Sequence, residues 1–118
     1  MMKTNKRDVL YINLTFEEAV EFEKLQHHKW AKASTLATQL FAKQFPEFWE
    51  KNQFGIFVPF HAETFHQKYV RKIQFLIDED TALKVEKLRA MGLNKCMVAR
   101  MVIMPILQEE LQKIPKDN

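Results

Sequence analysis

The side chains of this chain with the widest chemical reach are four histidines (His27, His28, His61 and His66), a single cysteine (Cys96), and a run of carboxylates at Glu17, Glu18, Glu21 and Glu23. Imidazoles and thiolates hold zinc when they recur at short, fixed intervals. No His or Cys pair has such a spacing here and Cys96 stands alone, so neither a metal nor any cofactor is expected. The carboxylates read as a solvated helix face with no nucleophile or base in a motif beside them, which argues against an enzyme. Two glycines in the whole chain leave no glycine-rich phosphate cradle. The remaining chemistry is binding through cationic, amide and apolar side chains.

Those side chains must be positioned by few elements. A length of 118 residues fits one compact domain, or two very small units sharing a core. The 47% hydrophobic fraction supports folding throughout, and the scarcity of glycine favours helices over a turn-rich sandwich or barrel. A net charge of +3 permits a polyanionic partner without demanding one, so the distribution of charge decides. The longest apolar patch, Gly55-Ile56-Phe57-Val58-Pro59-Phe60, is far short of a membrane span and is broken by proline. The N-terminal Met-Met-Lys-Thr-Asn-Lys-Arg-Asp lacks the apolar core of a secretion signal, and with one cysteine a reducing cytoplasm is the expectation.

An internal repeat organises the chain. Leu10, Ile12 and Leu14 alternate with Val9, Tyr11 and Asn13; later, Ile73, Phe75 and Ile77 alternate with Lys72, Gln74 and Leu76. Each reads as a short strand whose all-apolar set is buried. A helix start follows both, Thr15-Phe16-Glu17-Glu18 with capping-box spacing and Asp78-Glu79-Asp80-Thr81 with acidic residues suited to the helix dipole. Helical periodicity continues through Ala19, Phe22 and Leu25 in the first copy, and through Ala82, Val85, Leu88 and Met91 in the second.

Gly92 should end that helix in the left-handed conformation, whereas the first copy has Lys29 there and a less distinct stop. A further helix begins near Ala31, or at Ser34 or Thr35, with Ala33, Leu36, Ala37, Leu40 and Phe41 apolar. Its counterpart is capped by Asn94, with Val98, Ala99, Val102, Ile103 and Ile106 apolar and a kink expected at Pro105. A constant shift of 63 matches Ala19 with Ala82, Glu23-Lys24-Leu25 with Glu86-Lys87-Leu88, and Lys32 with Lys95, with no insertion needed. One strand with two amphipathic helices cannot close a core, so the copies are expected to pair as a two-stranded antiparallel β-ribbon over four helices.

At this point the chain resembles the ribbon-helix-helix superfamily of DNA-binding proteins, which includes the Arc and MetJ repressors, written twice in one polypeptide. The resemblance is carried by Lys72-Ile73-Gln74-Phe75-Leu76-Ile77-Asp78-Glu79-Asp80 and Gly92-Leu93-Asn94-Lys95-Cys96, and in outline by the first copy, whose turn reads Lys29-Trp30-Ala31-Lys32. It covers roughly residues 7–45 and 70–112, and it implies a mainly α pseudo-dimer: a first unit over 1–45, an aromatic-rich connector over 46–68, and a second unit over 69–114. The tandem arrangement, with Phe45-Pro46-Glu47-Phe48 after the first unit, looks most like the TraY group of plasmid conjugation accessory proteins.

In that family the ribbon enters the major groove of duplex DNA and amides at the start of the second helix hold a phosphate. The resemblance thus implies base contacts from Val9, Tyr11, Asn13, Lys72, Gln74 and Leu76. Lysine would donate to guanine, the amide side chains would pair with adenine, and Val9 or Leu76 would meet a thymine methyl. Phosphate contacts are implied for Lys6, Arg7, Lys32, Lys68, Arg71, Asn94 and Lys95, with Lys3 nearby. Different outward residues on the two strands favour an asymmetric site, at a transfer origin or, for a transcriptional repressor or antitoxin-type regulator of the same fold, at a promoter.

Other readings of the same residues stand beside this one. The outward strand face is either a solvated sheet surface or, given Val9, Tyr11 and Leu76, a docking face for a protein. The connector, with Phe48, Trp49, Phe54, Phe57, Phe60 and Phe65, is either a packed strap or a surface for a relaxase or another copy of the chain. Met91, Met97, Met101 and Met104 read as core filler.

Overall fold

Period-two alternation builds the strands. In the computed structural model, which describes residues 8–54 and 68–115, β1 spans Asp8–Leu14 and β2 spans Arg71–Ile77. They pair antiparallel, with Val9 opposite Leu76, Tyr11 opposite Gln74 and Asn13 opposite Lys72. The intervening residues Leu10, Ile12, Leu14, Ile73, Phe75 and Ile77 are buried. A ribbon of two strands has only one face to bury, and helices supply the cover: α1 (Phe16–Lys29) and α2 (Ala33–Asn52) after β1, α3 (Glu79–Ala90) and α4 (Lys95–Gln112) after β2. Among the described residues the chain is therefore mainly helical, with one two-stranded antiparallel sheet.

The two halves interlock. α2, from the first half, packs along β2, and α4, from the second half, packs along β1, while α2 and α4 also pack on each other. One core results, running from Leu10 and Phe22 through Leu40 and Phe41 to Val85, Val102 and Ile106. Phe41 on α2 lies 5.4 Å, ring to ring, from Phe75 on β2 and stacks at 5.0 Å on Phe45.

Local signals at the helix starts act as the sequence suggests. The Thr15 hydroxyl accepts from the Glu18 amide at 3.3 Å, while the Glu18 carboxylate accepts from the Thr15 amide at 2.9 Å. Asp78 accepts from the Thr81 amide and Asn94 from the Met97 amide. α2 starts at Ala33, with Lys32 in the cap position and no side-chain cap bond, rather than at Ala31, Ser34 or Thr35.

The turns correct the expected alignment. Trp30, not a glycine, takes the left-handed conformation (φ 54°, ψ 44°) after α1, and the amides of Trp30 and Ala31 bond back to His27 and Gln26. Gly92 does the same after α3, with φ 111° and the Leu93 amide bonding to Leu88. The strands and first-helix caps keep the constant shift (Thr15 with Asp78), but Trp30 answers Gly92 and Lys32 answers Asn94, one residue less. The first half thus reaches its turn one residue later, and Lys32 matches Asn94 instead of Lys95. With that step taken, buried Leu36, Ala37, Leu40 and Phe41 fall on buried Val98, Ala99, Val102 and Ile103.

One boundary and one core assignment also differ from expectation. α2 continues through Pro46 to Asn52, so the segment expected as connector begins as helix; Phe41, Phe45, Phe48 and Trp49 extend one apolar stripe across the proline and hold the turn that lacks an amide. Pro105 likewise lies inside α4, which continues to Gln112. Met91 is an exposed cap residue instead of a core one, while Met97, Met101 and Met104 pack against the core. Phe54, just past the helix, is 80% exposed instead of packed, and residues 55–67 of the connector, with Phe57, Phe60, Phe65, His61 and His66, lie outside the described residues. No single helix among them is long and apolar enough to cross a membrane.

Candidate nucleic-acid interface

The ribbon's outer face is open. Val9 (39% exposed) and Leu76 (44%) form an apolar pair at one end, Tyr11 and Gln74 the central pair, and Asn13 and Lys72 a polar pair at the other end. Gln74 and Lys72 are exposed, whereas Tyr11 and Asn13 are half-buried. The Lys72 ammonium sits 4.5 Å above the Tyr11 ring, so a cation and an aromatic hydroxyl are already gathered at the centre of the face. All six residues expected to read bases therefore lie on one surface.

The N-termini of α2 and α4 flank this face. On one edge, Ser34, Thr35 and Thr38 of α2 share a groove of about 800 Å³ with Val9, Gln74 and Leu76 of the ribbon. On the other edge, the Lys95 ammonium at the start of α4 donates to Asp8 at 2.9 Å, at the start of β1, and stands 3.9 Å from Glu86. The hydrogen bond from Lys95, opposed by slight burial, holds the Asp8 carboxyl below its ordinary range. Lys95 is thus already engaged by carboxylates, and the Asn94 side chain by the Met97 amide.

Lys32 is exposed and makes no ion pair among the described residues, and Lys68 is exposed at the approach to β2. Arg71 is half-buried in the inward register of β2, opposite Leu14, instead of facing outward with Lys72. Lys3, Lys6 and Arg7 lie outside the described residues.

Two charged residues important to this geometry escape a reading of local pattern. Arg100, in the middle of α4, donates at 2.7 and 2.8 Å to the two oxygens of Glu18 and at 2.7 Å to the Asn13 carbonyl, so it fixes the polar end of β1. Glu18 is therefore a half-buried ligand of Arg100 and not part of a solvated acidic face. Burial alone would raise its carboxyl, but the Arg100 fork and the Thr15 amide hold it below its ordinary value. A lone arginine inside Val98-Ala99-Arg100-Met101-Val102 is the signal that could have exposed it, because a charge on an apolar helix needs a partner. Glu110, 7% exposed, is held by the ammonium groups of Lys29, Lys43 and Lys113 at 3.0–3.1 Å, and its carboxyl is lowered to about 2 by those hydrogen bonds.

Among the described residues no group of His, Cys, Asp and Glu side chains could hold a metal ion. Comparison with protein-family models, curated proteins and solved structures finds no match to this chain.

Proposed function

We propose that the chain is a tandem ribbon-helix-helix protein, an intramolecular pseudo-dimer that inserts the outer face of β1 and β2 into the major groove of duplex DNA. The observation that carries this reading is an exposed two-stranded antiparallel ribbon whose outward residues include a lysine and two amides, flanked on its two edges by the starts of α2 and α4. A two-stranded ribbon has the width of the major groove, and its outward side chains can meet base edges without distorting the sheet. Gln74 and Asn13 suit adenine, Lys72 suits guanine, and the Val9–Leu76 pair suits thymine methyls. Binding, without a chemical step, is the activity assigned.

The two strands present different residues about the central Tyr11–Gln74 pair, so the site they fit is asymmetric. That property suits an accessory factor that orients a nucleoprotein assembly at a plasmid transfer origin, with a relaxase or further copies of itself as partners. The decisive experiment is a titration against random duplex at several salt concentrations. Binding at low salt that weakens as salt rises is expected. Absence of binding at low salt, or unchanged binding after joint replacement of Asn13, Lys72 and Gln74 by alanine, would refute the reading.

A further inference from the structure

The turn between α1 and α2 is built against the interest of the fold. Its left-handed position holds Trp30, where the other half has Gly92, and its cap position holds Lys32, which makes no side-chain cap bond, where the other half has Asn94. A left-handed residue with a Cβ costs on the order of 1 kcal/mol over glycine, and a missing cap about as much again. Packing returns nothing at Trp30, whose side chain is 94% exposed. A large indole left in solvent on a backbone that two hydrogen bonds hold in the left-handed conformation is an expensive feature unless something covers it.

Charge and position indicate what does. Between Glu23 and Glu47 the chain has no acidic residue, but it has Lys24, His27, His28, Lys29, Lys32 and Lys43. Glu110 binds Lys29 and Lys43, which leaves Lys24 and Lys32 without an ion pair among the described residues. Four residues beyond Trp30, Ser34 lines the groove shared with Val9, Gln74 and Leu76, so the turn stands at the flank of the ribbon's outer face. An exposed aromatic in a basic surround beside that face fits a polyanion carrying flat or apolar rings.

We propose that Trp30 is a DNA contact outside the ribbon: its indole lies against the deoxyribose and base edge of the duplex flanking the segment the ribbon reads, on the α1–α2 side only. The proposal rests on the DNA-binding reading above and adds a polarity to it, since Gly92 offers no such contact on the opposite flank. The contact is apolar, so it raises affinity without changing the number of phosphates neutralised.

Fluorescence tests this directly. In a Trp49→Phe background, Trp30 is the sole tryptophan, and adding duplex should shift or quench its emission in step with binding. Trp30→Gly should keep the circular dichroism and the unfolding midpoint, or raise the midpoint, while weakening duplex affinity roughly five- to tenfold at fixed salt with an unchanged salt slope. Equal affinity of Trp30→Gly and unmodified protein, or emission unaffected by saturating duplex, would overturn the proposal while leaving DNA binding intact. Emission that changes with protein concentration in the absence of DNA would overturn it in favour of a second copy as the occupant. Loss of all duplex binding by the unmodified chain would instead refute the reading on which it rests.

Discussion

Arg100 on α4 grips Glu18 at the start of α1 with two hydrogen bonds of 2.7 and 2.8 Å, and the same guanidinium holds the Asn13 carbonyl at the end of β1. One side chain from the second half thereby fixes both the last outward residue of the first strand and the first turn of the helix after it. Both partners are largely shielded from water, with side-chain exposures of 13% and 17%, so removing one of them costs more than breaking a surface ion pair, because the other is left as an uncompensated charge. Arg100→Met should leave Glu18 half-buried without its counter-ion and cost about 2–3 kcal/mol. Glu18→Gln should cost less, and the double substitution less than the sum of the two. Urea unfolding of the four proteins measures this.

Glu110 gives a pH dependence with a defined sign. Its carboxyl is lowered from 4.5 to about 2 by three lysines, so its stabilisation is fully present above 4.5 and is lost as pH falls from there toward 2. Glu110→Gln should be less stable than the unmodified protein at neutral pH by roughly 1–3 kcal/mol, discounting for the mobility of the exposed lysines. The difference should narrow across that acid window. Denaturation midpoints of both proteins between pH 7 and 2 provide the check.

Gly92 should resist replacement for a conformational reason. A Cβ there would meet nothing within 4 Å, but φ is 111°. Gly92→Ala should therefore cost about 1–2 kcal/mol by backbone strain alone, without disturbing the core. Thermal unfolding monitored by circular dichroism would register it.

Base and phosphate contacts should separate by salt. Lys32→Ala should weaken duplex binding about equally for all sequences and reduce the salt slope by about 1, while Gln74→Ala should leave the slope unchanged and relax preference at one position of the selected site. Competition binding with randomised duplexes distinguishes the two.

The ribbon was legible because alternation of Leu10, Ile12 and Leu14 against Val9, Tyr11 and Asn13 is a local, period-two signal, and both faces follow once one is buried. The helix starts at Thr15, Asp78 and Asn94 were legible because their capping chemistry is contained within four residues. The α1–α2 turn was not, because a tryptophan in the left-handed conformation carries no local signature and hides the one-residue step between the halves. Arg100 and Glu110 were missed for a different reason: Glu18, Lys29 and Lys43 are brought to them only by tertiary packing. The same limit hid the engagement of Lys95 with Asp8, across 87 positions of chain. The end of α2 is not legible where the aromatic-rich segment from residue 46 reads as a connector, because only the stacking of Phe41, Phe45 and Trp49 shows why the helix passes Pro46.

The exchange of partners, in which α2 lies on β2 and α4 on β1, has a consequence during synthesis. A ribosome that has completed the first strand and its two helices has made an apolar surface with nothing to cover it, because the strand and helix that complete it are still untranslated. The N-terminal half must wait until α4 has been made, so assembly is governed by contacts distant in sequence. Refolding from urea should accordingly be slower than in helical proteins of similar length whose contacts are mostly local, and folding of the nascent chain should begin only when Gln112 clears the exit tunnel.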